Sequence, residues 1–335
     1  MLNIYVIGCG GGGGYLCDKL PMAIASLSLD MLERVGEDIT QYLEDAGKVH
    51  IPCIADRLVL VDADTFNPRN SLRQGAGSGS KLDRRLTDVL DAISDSGANR
   101  ADIAQRLLED ILDNRDSYDE QDLRDVLVVL RCESMDKVKA INATMLRGTY
   151  LQRMEVIGYN AYVAPGNIGK IIPKVLKPND ANLEARGCYK AVPKDFPIVF
   201  LCVDNKKSRY EIHKYMETFD DCLIINAGNT KETGQVTIYE RKAGIALDPP
   251  LYEIYPDIAD GTDKRPDELG CEYVAPSHDQ IAITNSVCAD FTLAMMVKWV
   301  KGGLYNEGRR GTRTRVNELS IDTDTMSVIP LSHTT

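Results

Sequence analysis

The stretch IYVIGCGGGGGYL, Ile4 to Leu16, constrains this chain more than any other. A short apolar strand runs straight into five consecutive glycines, Gly10 to Gly14, after an earlier Gly8. Gly8, Gly10 and Gly13 satisfy G-x-G-x-x-G between a strand and a helix, the context that gives this pattern its meaning. Without side chains the backbone can turn tightly and approach a phosphate closely. The helix that follows then offers free N–H groups and the positive end of its dipole to the anion. The pattern alone names no nucleotide, and a purely structural glycine turn is its other reading.

A dinucleotide fold wants an acid ending the second strand about 20 residues after the loop. The first acid closing that strand here is Asp62, more than fifty residues beyond Gly8. A long first crossover accounts for the gap but weakens the case for a dehydrogenase. With 335 residues, 44% of them hydrophobic, the chain has material for one large α/β domain or two smaller ones. Its formal charge of -11 repels nucleic acid and anionic lipid, so neither is an expected partner and any polyanion must be held locally. No apolar run approaches the roughly 18 residues of a membrane span. The early first strand leaves no room for a signal peptide, so the expected location is the cytoplasm. Nine cysteines with no C-x-x-C pair, and only four histidines, disfavour a structural zinc. Reduced, buried thiols are expected instead.

Strands are predicted at Ile4 to Ile7, Arg57 to Asp64, Val156 to Val163, Ile198 to Asp204, Cys222 to Gly228 and Gln235 to Glu240. Their apolar runs suit a parallel sheet covered on both faces. A helix is predicted from Tyr15 to Asp45, broken at Pro21, and another from Asp279 to Lys301. Arg241 to Gly270 is charged and proline-rich and reads as an irregular loop. Residues 83–154 are charged and helix-patterned. Ile103, Leu107, Leu108, Ile111 and Leu112 share one amphipathic face there. The division expected is a single nucleotide-binding domain, 1–82 with 155–330, carrying a mainly helical insertion at 83–154. GRRGTRTR, Gly308 to Arg315, is the one basic cluster and reads as a solvated turn rather than a binding patch.

Two further stretches carry chemistry. VDADTFNPRNSLRQ, Val61 to Gln74, puts Asp62 and Asp64 at the carboxyl end of a strand, where open α/β sheets bind ligands. An aspartate there can accept hydrogen bonds from both ribose hydroxyls. Asn70 adds a neutral donor, and Arg73 a permanently charged planar fork for phosphate oxygens. FLCVDNKKSR, Phe200 to Arg209, again ends an apolar strand in an acid, Asp204, followed by Asn205. Such a carboxylate suits magnesium bridging protein to triphosphate; otherwise it caps the following helix.

Together these stretches resemble the family that includes ThiF, MoeB and the adenylation domains of ubiquitin-activating enzymes. The family's G-x-G-G-x-G loop is matched by Gly8, Gly10, Gly11 and Gly13, and its D-x-D by Asp62 and Asp64. Its N-L-x-R-Q is similar to Asn70, Arg73 and Gln74, with Ser71-Leu72 in altered order. Its D-N-x-x-x-R stands intact as Asp204, Asn205 and Arg209. GQVTIY, Gly234 to Tyr239, and CEYVAPSHDQIAITNS, Cys271 to Ser286, resemble later family segments. The resemblance implies a Rossmann-like α/β sheet with helices on both faces and an ATP- and Mg2+-dependent adenylation. The substrate carboxylate implied is the C-terminus of a ubiquitin-like or sulfur-carrier protein, or of a peptide. It further implies that Asp62 holds ribose, that Asn70 and Arg73 hold phosphates, and that Asp204 holds magnesium. Lys81 is the best match to a phosphate-contacting lysine, although it follows Arg73 closely. A homodimer is implied as well. The paired zinc motifs and the N-terminal arginine helix of some relatives are not matched.

Positioning and charge neutralisation supply most of the catalysis in such chemistry, so an acidic chain must concentrate its cations at the site. Arg73, Lys81 and magnesium on Asp204 do so in principle. Cys271 stands where ThiF-like relatives place a reactive thiol. It either accepts the acyl group or merely occupies its segment. Two other readings remain open at this stage. One is an NAD(P)-dependent dehydrogenase, which gives Asn70, Arg73 and Gln74 no role. The other is the catalytically silent half of an activating heterodimer.

Overall fold

The computed structural model describes residues 1–8, 11–34, 53–62, 154–159, 161–175, 195–260, 263, 282–302, 305–307 and 313–334. Strands β1 (Leu2–Ile7), β2 (Ala55–Val61), β3 (Glu155–Tyr159), β4 (Phe196–Leu201) and β5 (Cys222–Asn229) lie parallel in the order β3-β2-β1-β4-β5. β6 (Thr233–Lys242) turns back antiparallel on β5, with the two-residue β7 (Ile245–Ala246) on its far end. β10 (Glu318–Asp322) and β11 (Ser327–Leu331) continue the antiparallel edge, completing nine strands among the described residues. A separate small ribbon pairs β8 (Tyr305–Glu307) with β9 (Arg313–Arg315).

Every residue of β1 and β4 is buried, as expected of central parallel strands with both faces covered. Alternate side chains go to opposite cores. Ile4, Val6, Leu58, Leu60, Ile198 and Phe200 meet helices α1 (Gly11–Arg34) and α5 (Ala282–Val300). Tyr5, Ile7, Val59, Val61, Val199 and Leu201 meet the short α2 (Ile168–Ile171) and α3 (Lys206–Met216). The α/β sheet with helices on both faces is therefore what the apolar runs predicted. Of the described cysteines, Cys17, Cys53, Cys222 and Cys288 are buried, as expected, and Cys202 is half-buried.

Several expectations need correction. Pro21 does not break α1, which continues to Arg34; residues 35–45 lie outside the described ones. An internal proline costs a helix about 3 kcal/mol. Leu16, Leu20, Ile24 and Leu27 on the same helix are all essentially inaccessible to solvent. Each contributes roughly 1.5–3 kcal/mol by burial, and together they outweigh the break. The third strand stops at Tyr159 rather than Val163. The proline-rich stretch after Arg241 is less irregular than its composition suggests: α4 (Leu251–Ile254) and a 3-10 turn (Pro256–Ile258) occupy it. Pro250 stands at the N-cap of the first and Pro256 opens the second, where a missing N–H costs nothing. The basic cluster is not a solvated turn throughout, since Arg313–Arg315 forms β9. The strands β10 and β11 were not foreseen.

The buried face of α3 carries one oddity. His213 is 1% exposed, packs 4.5 Å from the ring of Tyr239, and has no hydrogen-bond partner at either ring nitrogen. Its Nε2 is 3.9 Å from Glu217, too long for a hydrogen bond. That carboxylate is instead engaged by Lys214 and Tyr252. Burial, reinforced by the Lys214 charge, therefore pushes His213 down to about 3. The folded state keeps the ring neutral while the unfolded chain takes up a proton below pH ~6.5. Stability should fall as pH drops from there towards 3, by about 1.4 kcal/mol per pH unit. Urea denaturation at pH 7 and pH 5 should show wild type losing about 2 kcal/mol more than His213→Phe. Equal losses would refute the assignment.

Candidate functional site

The strand order reverses between β1 and β4, and the crevice outside their carboxyl ends is where such sheets bind ligands. Ile7 is level with Val61 on one side and Leu201 on the other. The residues just beyond, Gly8, Asp62 and Cys202, therefore line the crevice floor. Gly8 donates its N–H to Val61 O at 2.9 Å, and Cys202 donates to Ile7 O at 2.8 Å. Gly8 takes φ +85, a conformation open to glycine. A Cβ there would lie 2.7 Å from the carbonyl oxygen of Cys202.

Gly13 performs a different task. A Cβ on it would stand 1.9 Å from the oxygen of Gly8 and 3.1 Å from Cβ of Cys202. The first turn of α1 thus rests directly on the backbone at the ends of β1 and β4. This holds the helix N-terminus, which begins at Gly11, over the crevice. Gly12 has room, with Asn285 O at 4.0 Å as its nearest contact. Asn285 in turn lies in the first turn of α5 and accepts a 2.6 Å bond from Asn229 at the end of β5. The amino ends of α1 and α5 therefore both reach the carboxyl edge of the sheet. Asn285 was not singled out from the sequence, where nothing distinguishes it within its segment.

Asp62 is buried directly after β2, its N–H donating to Tyr159 O at 3.1 Å. Asp204 is exposed in the short link between β4 and α3. Asp204 is not the N-cap of that helix, because Asn205 is: its Oδ1 accepts from Ser208 N at 2.8 Å. Arg209, given no role from the sequence, reaches across to β5. Its guanidinium donates to Asn226 Oδ1 and, at 3.0 Å, to Ala227 O. Burial lowers its pKa, an effect the Asp204 charge opposes, and an arginine stays charged regardless.

A hard oxygen donor at Asp204 fits magnesium, which binds through one or two carboxylates and completes its shell with water and phosphate. Among the described residues no group of three His, Cys, Asp or Glu could hold a metal by itself. Asp204 would therefore be the single ligand that the described residues supply, beside nucleotide oxygens. Cys202 lies at the crevice floor, but burial pushes its thiol up to about 12, so it is no nucleophile at neutral pH. Gly8, Gly11, Gly13, Asp62, Asp204 and Asn205 are thus brought to one edge of the sheet. Gly10, Asp64, Asn70, Arg73, Gln74, Lys81 and Cys271 lie outside the described residues, as does the 83–154 segment. No helix among the described residues is long and apolar enough to cross a membrane.

No protein-family model matches the sequence, and no curated protein matches it. The structure is similar to the crystal structure of selenomethionine PaaA at 12% identity and a TM-score of 0.47, over 99% of this chain and 73% of that one. It is similar to E. coli MccB in complex with MccA-N7isoASN at 12% identity and a TM-score of 0.44, over 98% of this chain. A third likeness is to E. coli MccB with ATP, at 13% identity and a TM-score of 0.41. The chain spans 64% and 63% of the length of those two MccB chains.

Proposed function

We propose that this chain uses MgATP to adenylate a carboxylate, the C-terminus of a peptide or of a small ubiquitin-like or sulfur-carrier protein. The observation that carries the reading is the convergence of three sequence-distant groups on the switch point of the sheet. These are the α1 N-terminus seated on Gly8, the buried Asp62 beyond β2, and the exposed Asp204 beyond β4. A glycine-cradled helix end suits phosphate, an acid at the second strand's end suits ribose, and a second, exposed carboxylate suits the cation that accompanies a triphosphate. MccB, one of the similar structures, is a microcin C7 biosynthetic enzyme crystallised with ATP and with MccA. The same class of ligands is the natural first choice here.

In this reading the backbone around Gly8 and Gly11 orients the triphosphate, and Asp62 fixes the ribose. The substrate carboxylate attacks the α-phosphorus, the bond to the β-phosphate oxygen breaks, and pyrophosphate leaves with the electron pair. Asn70, Gln74, Arg73 and Lys81 would steady the phosphates and their developing charge. Bound magnesium would neutralise charge on the departing phosphates. Asp64 would assist at the ribose and Asn205 at the cation. Residues 83–154 would be an insertion between β2 and β3 that leaves the nucleotide-binding domain intact. Cys271 is proposed to attack the acyl-adenylate in a second step, forming a thioester as the acyl–phosphate bond breaks and AMP leaves, and two copies of the chain are proposed as the working unit.

Calorimetric titration with MgATP and, separately, NADH tests the reading on wild type and Asp204→Ala. Micromolar MgATP binding, weakened about tenfold or more in the variant, with no heat from NADH, is the expected result. NADH binding indifferent to Asp204→Ala would replace this reading with the dehydrogenase. Pyrophosphate exchange by the isolated chain would dismiss the silent scaffold.

A further inference from the structure

Helix α3 starts two residues after Asp204, and the N–H groups of its first three residues have no partner within the helix. All three are accounted for. Ser208 N donates to Asn205 Oδ1 at 2.8 Å, while Arg209 N already makes the first bond of the helix, to Asn205 O at 3.1 Å. Lys206 N and Lys207 N donate to the two carboxylate oxygens of Asp263, at 2.6 and 3.0 Å. The same loop adds a second strut, since Asp257 pairs with Lys206 Nζ at 2.8 Å. The acid bracing this helix end therefore comes from a distant loop, although Asp204 is the nearest acid in sequence.

That division of labour has a consequence for Asp204. An aspartate beside open helix N–H groups is drawn to cap them, and the positive end of the helix dipole adds to the pull. A carboxylate spent on a cap is a poor ligand for a cation. We propose that Asp263 is a positioning residue: by closing the N-terminus of α3 it leaves Asp204 out of the cap, so that a divalent cation can recruit its carboxylate. The proposal rests on Asp204 being the cation-holding residue of the function proposed above.

The test uses the full chain with ATP and Mn2+ as the spin-active substitute for Mg2+, and reads Mn2+ binding directly by electron paramagnetic resonance. The proteins are wild type, Asp204→Ala, Asp263→Ala, Asp263→Asn and Asp263→Glu. Asp263→Ala should weaken Mn2+ binding about tenfold, the scale of losses when a ligand's supporting group is removed. ATP affinity in EDTA should stay within about twofold of wild type, since the glycine loop is untouched. Asp263→Asn, which keeps one acceptor oxygen, should fall between, and Asp263→Glu should recover most of the binding. Should Asp263→Ala fail to fold by circular dichroism, Asp263→Asn carries the test alone. Unchanged Mn2+ binding in the Asp263 variants, with Asp204→Ala weakened, would overturn this inference and leave the proposed function standing. An equal fall in metal-free ATP affinity would overturn it too, by revealing general loosening. Mn2+ binding indifferent to Asp204→Ala would instead remove the reading of the site on which the inference rests.

Discussion

Replacing Gly13 with alanine should abolish the MgATP binding proposed above and cost the fold much of its margin, while the same change at Gly12 should do neither. The two glycines are neighbours on α1, and sequence pattern alone does not rank them. Geometry does. A Cβ on Gly13 would come within 1.9 Å of a backbone carbonyl oxygen, and no side chain can swing aside to relieve that. Restoring normal contact displaces the helix by more than 1 Å relative to β1. Misplacement of about 1 Å in a positioning element is enough to cost roughly a hundredfold in function. Overpacking of this kind also destabilises by about 1–3 kcal/mol, and an immovable backbone neighbour puts the cost at the upper end. At Gly12 the nearest atom is 4.0 Å away, so alanine fits and gains up to about 1 kcal/mol of helix propensity. Thermal denaturation and MgATP calorimetry of Gly13→Ala decide the matter for the loop, with the melting point of Gly12→Ala as the control. A Gly13→Ala protein that melts and binds like wild type would mean that α1 does not rest on Gly8 as described.

The contrast between these glycines marks how far the sequence could be read. The strand–glycine–helix opening predicted a tight turn, and Gly8 makes it. Central strands were legible because continuous apolar runs leave few alternatives, and β1, β2, β4 and β5 fall where expected. Asp62 and Asp204 were legible for the same reason, because each is the first acid beyond such a run. What escaped depends on partners far away in sequence. Asp263 braces α3 from 57 residues beyond Lys206 and looks like one more acid in a charged loop. Arg209 was visible as part of a motif, but its partners Asn226 and Ala227 lie on the next strand. Pro21 misled in the other direction: local propensity spoke for a break, and the buried leucines of α1 overrode it.

The C-terminal strands show the same rule at higher energy. Arg315 belongs to the one basic cluster, yet its guanidinium is held by Asp248 Oδ1 and Oδ2 at 2.6 and 2.7 Å and by Glu240 at 2.6 Å. Asp248 has no accessible side-chain surface and also accepts from Glu240 N and Asn317. Burial works against the charge on Arg315, but the two carboxylates outweigh it and raise its pKa. Removing the arginine would leave a carboxylate buried without its counter-charge, which costs about 3–5 kcal/mol. Urea denaturation of Arg315→Ala at pH 7 should show a loss of that size. Replacing both partners, Arg315→Met with Asp248→Asn, should recover most of it, because the pair gains little over neutral groups once desolvation is counted. A deficit below about 1 kcal/mol would make this an ordinary exposed ion pair. The larger deficit would establish that Asp248 and Glu240 need the basic cluster more than any external polyanion does.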